Sequence, residues 1–79
     1  MNGEDITRWR VRLDLGVAEM ARFLGVPVRT LQNWEGGTRT PGCAAQSLFD
    51  VLLALEAICP VLHDMRISQA RNGVSVKED

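Results

Sequence analysis

Apolar residues recur along the chain at helical intervals, interrupted at Gly16, Gly25–Pro27, Glu35–Gly42, Cys59–Pro60 and Asn72–Gly73. Glycine and proline at such marks end helices, so the stretches between them read as helical segments. In the first, about Asp5 to Leu13, Ile6, Trp9, Arg10 and Leu13 fall on one face. Asp5 is the expected N-cap, with Asn2 one turn earlier as the alternative. The second segment, Val17 to Leu24, lines up Val17, Met20, Ala21 and Leu24, with Gly16 as cap and Gly25 as a left-handed C-terminal glycine. The third starts at Pro27 or Val28 and ends near Glu35. Leu31 and Trp34 point one way, and Arg29, Thr30, Gln32 and Asn33 are polar. The fourth, about Ala44 to Ile58, is apolar around most of its circumference, through stripes such as Leu48–Leu52–Leu55 and Val51–Leu55–Ile58. A helix apolar all round must be buried on several sides. Pro60 suits the first position of a fifth helix, about Val61 to Ala70. Residues 71–79 are polar and expected to fray. The sum is an all-α bundle of about five helices in a single domain. Residues 5–42 form one part and residues 43–70 a second helical part.

Composition narrows this further. Seventy-nine residues make one domain, and 46% apolar content with a net charge of −1 argues against disorder. No apolar run reaches the roughly 18–20 residues that span a bilayer, so no membrane role is expected. The polar, acidic start Met1-Asn2-Gly3-Glu4-Asp5 does not read as a secretory signal. Two cysteines are too few for a disulfide scaffold, which points to a reduced, cytoplasmic compartment. Cys43, Cys59 and His63 do not make a zinc site, which needs four ligands in close pairs; no metal or other cofactor is expected. The cysteines read as small hydrophobes, and His63 as a polar residue beside an interface. With a single histidine, no nucleophile–base–orienter set can be assembled, so the chain does not read as an enzyme.

The informative stretch is Leu15 to Pro41. Two helices of about eight residues, joined by Leu24-Gly25-Val26-Pro27, have the dimensions of a helix-turn-helix, whose second helix lies in the DNA major groove. Ala21 allows close approach of the two helices, and Val26 can plug the angle between them. The run from Met20 to Gly37, continued by Arg39 and Pro41 and preceded by Arg10, resembles the signature of Xre/Cro-type helix-turn-helix regulators. The resemblance covers about residues 6–58 and implies a lambda-repressor-like bundle. Two places depart from it. Gly16-Val17 stands where the family usually has Ser-Gln, and Pro27 replaces the usual Ser or Thr cap.

The resemblance implies roles for particular residues. Val28, Arg29, Gln32 and Asn33 would read bases: arginine pairs with guanine, Asn or Gln with adenine, and valine touches a thymine methyl. Arg22, Thr30, Thr38, Arg39 and Thr40 would meet the DNA backbone. Arg10 and Glu35 would form a structural ion pair. Trp9 and Trp34 are expected in the core, and Arg8 and Arg12 in solvent. Leu48, Leu52, Leu55, Ile58, Leu62 and Met65 offer more apolar surface than one small domain can hide, so a homodimer interface is expected there. The function implied is a cytoplasmic, nucleoid-associated homodimer that represses its own small operon through a palindromic operator. Such regulators resemble phage and mobile-element repressors, including anti-CRISPR-associated ones. The alternative is an antitoxin that binds both operator DNA and a toxin protein. A module that binds only proteins is a third reading, opposed by the arginine-bearing face of the third helix.

The charge is uneven: residues 1–42 hold six arginines and five acids, while residues 43–79 hold three basic residues and five acids. A near-neutral total thus averages a small basic reading face and a more acidic half. Non-specific DNA binding should accordingly be weak and salt-sensitive.

Overall fold

Asn2 opens the first helix. Its side-chain oxygen accepts from the Asp5 N–H (2.9 Å), and its own N–H donates to the Asp5 carboxylate (3.2 Å). Asn2 is therefore the cap, and Asp5 is the third-residue partner of a capping box rather than the cap itself. Residues 1–73 are described by the computed structural model. They form α1 (Gly3–Arg12), α2 (Val17–Leu24), α3 (Val28–Glu35), α4 (Cys43–Ile58) and α5 (Pro60–Arg71). All regular structure among the described residues is helical, in a globule with a Cα radius of gyration of 12.0 Å. The frayed tail expected from residue 71 onward falls partly on the end of α5, and residues 74–79 lie outside the described residues.

The three short helices end in the same way. In α2, Val26 N–H donates to Ala21 O (3.0 Å) and Gly25 N–H to Arg22 O (3.2 Å), with Gly25 at φ +76°. This is the Schellman pairing, which satisfies two carbonyls a helix end would leave orphaned. In α3, Thr38 N–H donates to Asn33 O and Gly37 N–H to Trp34 O, with Gly37 at φ +80°. In α1 the left-handed position is filled by Asp14 (φ +59°), with Leu15 N–H donating to Arg10 O. Aspartate tolerates this conformation better than most residues, but less well than glycine. Arg71 holds the turn from outside, donating to Leu13 O and Asp14 O at 3.0 and 3.2 Å.

The core is built on aromatic edges. His63, Phe23, Trp9, Phe49 and Trp34 form a continuous chain of edge-to-face contacts, with centroids 5.5–5.9 Å apart. It uses every aromatic side chain of the protein and joins all five helices. Ile6, Met20 and Leu31 are fully buried around it. His63 is thus a core residue, 3% exposed and packed on Phe23, not a polar residue at an interface. Cys43 is the exposed first residue of α4, and Cys59 is the single residue between α4 and α5. Gly3 allows the start of α1 to lie against the end of α3: a Cβ there would run into the Trp34 carbonyl oxygen.

Arg12 does not extend into solvent alone. It makes a bidentate pair with Glu56 of α4, both bonds 2.9 Å, tying α1 to α4. The hydrogen bond from Arg12 holds the Glu56 carboxyl below the usual carboxylate range, against a smaller opposing effect of desolvation. A carboxyl whose pKa is depressed by folding stabilises the fold above its unfolded pKa, and that contribution fades as pH falls through the folded value. The two side chains are 51% and 33% exposed, so the contribution is small, about 0.2–1 kcal/mol. Glu56→Gln should therefore lower the melting temperature slightly at neutral pH and leave it unchanged at pH values where wild-type Glu56 is protonated. An equal loss at both would show that the pair does not contribute through its charge.

Candidate nucleic-acid interface

The α2–α3 unit places a short helix across a three-residue turn, residues 25–27, from a second short helix. Ala21 is 2% exposed where the helices approach, and Val26 packs against the core from the turn. Pro27 occupies the N-cap of α3 with no side-chain acceptor, so the first N–H groups of α3 lack a side-chain cap. Leu31 and Trp34 of α3 face inward. Val28, Arg29 and Gln32 are exposed on the other side, and Asn33 is half-buried beside them. The four residues expected to read bases therefore share the outer part of one helix. Thr30 and Asn33, with Trp34, Arg39 and Thr40, line a shallow cavity of about 210 Å³ at the junction of α3 and the following loop. Thr38, Arg39 and Thr40 are all exposed. The loop folds back because Asn33 O accepts from both Thr38 N–H (2.9 Å) and Arg39 N–H (3.2 Å).

Arg10 and Glu35 fix the far end of α3. Arg10 Nε donates to Glu35 Oε2 (3.0 Å) and Nη2 to Oε1 (3.2 Å), while Nη1 reaches Leu15 O (3.1 Å). Thr7 Oγ1 adds a bond to Glu35 Oε1. The side chains are 19% and 13% exposed, so the pair is largely withdrawn from water. The expected ion pair is present, and it joins α1, the entry to α2 and the end of α3.

The arginines divide sharply by what they touch. Arg8 pairs with Glu4 and Asp5, Arg10 with Glu35 and Arg12 with Glu56. Arg22, Arg66 and Arg71 donate to main-chain carbonyls of Ala70, Phe23 and Leu13. Among the arginines of the described residues, only Arg29, on the outer side of α3, and Arg39, in the loop that follows it, make no side-chain hydrogen bond or ion pair. Arg22, expected at the DNA backbone, is exposed, and its Nε donates to Ala70 O of α5 at 2.7 Å.

The expected dimer residues separate as well. Leu52 is only 3% exposed and belongs to the chain's own core, because it sits on the α4 face that packs inward beside Phe49. Leu48 and Leu55 are half-buried against that core. Ile58, Leu62 and Met65 are exposed, Ile58 to 81%, together with Val51 and Val61. The outward stripe of α4 is therefore Val51–Leu55–Ile58, one position round from Leu48–Leu52–Leu55. Burial of α4 on several sides, expected from its composition, is incomplete within the single chain.

No cluster of three or more potential metal ligands occurs among the described residues, and none of their helices is long and apolar enough to cross a membrane. Comparison with protein-family models, with curated proteins and with solved structures gives no match to this chain.

Proposed function

We propose that the protein is a sequence-specific DNA-binding regulator that lays α3 in the major groove and acts as a homodimeric repressor of its own small operon. The observation that carries the reading is the coincidence on α3. The helix whose outer side bears Val28, Arg29, Gln32 and Asn33 is flanked by the two arginines that the fold leaves unengaged, Arg29 and Arg39. Side chains of these types supply the bidentate and methyl contacts that distinguish base pairs, and Thr38, Arg39 and Thr40 supply phosphate contacts at the edge. The exposed Val51, Ile58, Val61, Leu62 and Met65 provide the apolar surface for pairing. Two-fold pairing would present two α3 helices ~34 Å apart to a palindrome. A toxin partner would compete for this same apolar surface.

A mobility-shift titration with the DNA upstream of the protein's own gene tests the reading. The wild-type chain should run as a dimer in light scattering and shift that DNA. Arg29→Ala should lose ~1–3 kcal/mol of binding, roughly ten- to a hundredfold, with the fold unchanged by circular dichroism. No shift by the wild-type protein on any upstream fragment would reject the DNA reading. A mass of one chain would reject the pairing, and a second, different chain retained on purification would favour the antitoxin reading.

A further inference from the structure

We propose that Arg22 and Arg66 form a reciprocal brace that locks the α4–α5 unit at one angle to the α2–α3 unit, and thereby sets the distance between the two reading helices of a dimer. The proposal rests on the reading of α3 as the DNA-reading helix and of α4–α5 as the pairing surface.

Arg22 of α2 donates from Nε to Ala70 O of α5 (2.7 Å), and Arg66 of α5 donates from Nε to Phe23 O of α2 (2.8 Å). Each acceptor lies in the last turn of its helix, where carbonyls run out of intrahelical donors and the partial charge is negative. The Phe23 carbonyl, with Pro27 four residues on, has no intrahelical donor, and the Ala70 carbonyl takes Arg22 beside a longer bond (3.3 Å) from Gly73 N–H. The two bonds leave α5 one helical turn apart and converge on adjacent residues of α2, so together they oppose both sliding and rotation of one helix on the other. Ala70 is 2% exposed, and its small side chain lets the α5 backbone come within reach of Arg22. The Arg66 guanidinium also lies over the Phe23 ring, 5.6 Å from its centroid, and Phe23 is anchored in the aromatic chain through Trp9 and His63.

Leu62 and Met65, on the pairing surface, sit on the same helix as Arg66. Phe23 is two residues from Gly25, which begins the turn into α3. The brace thus links the helix that carries part of the apolar surface to the helix that enters the turn before α3. Arg22 becomes a positioning residue rather than the phosphate contact implied by the family resemblance.

Lysine substitution separates the two roles. A phosphate contact survives as a point charge, whereas donation from a planar Nε at this angle does not. The assay uses the upstream DNA bound by the wild type, rebuilt as duplexes whose half-sites are moved apart or together one base pair at a time. Binding is read by fluorescence anisotropy at several salt concentrations, with the folded fraction of each variant checked by circular dichroism. The wild type should show one sharp optimum of spacing. Arg22→Lys and Arg66→Lys should each flatten that optimum several-fold without changing the slope of log affinity against log salt. The double variant should be little worse than either single one. A position whose lysine variant is not fully folded is tested as glutamine instead.

Retention of the sharp optimum by both variants would overturn the brace. So would a loss of about one unit of salt slope per chain in Arg22→Ala that Arg22→Lys restores, because that pattern marks a phosphate contact. Failure of the wild type itself to bind the DNA, or to pair, would instead overturn the underlying reading, and the brace with it.

Discussion

Replacing Glu35 with alanine is expected to remove about 3 kcal/mol of folding stability, the lower end of the ~3–5 kcal/mol lost when a buried pair loses one partner. The lower end applies because the two side chains keep 19% and 13% of their surface. The loss arises mainly from what remains. Arg10 would keep its charge in a largely dry site, with only Leu15 O still accepting from it. Thr7 would lose its bond to the same carboxylate. Removing both charges should cost less: Arg10→Met with Glu35→Leu leaves no stranded ion and should recover much of the loss. Urea titration followed by the fluorescence of Trp9 and Trp34 measures both. A loss below 1 kcal/mol in Glu35→Ala would mean that the pair behaves as an exposed surface bridge. On the proposed reading of α3 as the helix that reads DNA, the variant should also weaken binding through loss of helix position, since Glu35 is the last residue of α3.

Phe49→Ala is expected to cost about 3–5 kcal/mol, the range for emptying a fully buried aromatic site. Phe49 is 1% exposed and stands between Trp9 and Trp34, at 5.8 and 5.6 Å from their centroids. Truncation breaks both edge-to-face contacts and opens a cavity where α1, α3 and α4 meet. In a domain of this size such a loss approaches the whole stability, so the variant should be largely unfolded at physiological temperature. Val51→Ala, two residues along α4 but turned outward, should change the stability of the single chain by less than about 0.5 kcal/mol. Urea midpoints of the two variants under conditions that keep the chains apart check the contrast. Similar losses at the two positions would show that the inward face of α4 has been misassigned.

Helix positions were readable because each helix carries its own signals: stripes of apolar residues, glycines after Leu24 and Glu35, and proline at the start of α5. The Arg10–Glu35 pair was also accessible, because the regulator signature that the sequence resembles implies both partners. What sequence could not supply was anything decided by a neighbour distant in the chain. Asn2 and Asp5 are both good caps, and only the reciprocal bonds between them show which opens the helix. Leu52 and Val51 are equally apolar neighbours, and the rotation of α4 against the core decides which is hidden. His63 looks polar in isolation, yet its ring is the outer end of the aromatic chain. Asp14 gave no sign of a left-handed turn, because the usual cue is glycine. The acceptor of the Arg22 Nε–H lies on α5, 48 residues later in the chain.

The carbonyl acceptors of Arg22, Arg66 and Arg71 also bear on how the protein can change over generations. A salt bridge binds two positions together, so that loss of a charge at one selects for change at the other. A main-chain carbonyl is supplied by any residue, so substitutions at positions 13, 14, 23 and 70 leave the acceptor in place provided the backbone keeps its course. The hydrogen bonds themselves place no demand on the partner side chains; what restricts those positions is packing at Phe23 and Ala70 and the left-handed turn at Asp14. Correlated substitution, which traces side-chain pairs such as Arg10 with Glu35, would register the contacts of Arg66 with the Phe23 ring and of Arg71 with the Asp14 carboxylate, but not the carbonyl bonds beside them.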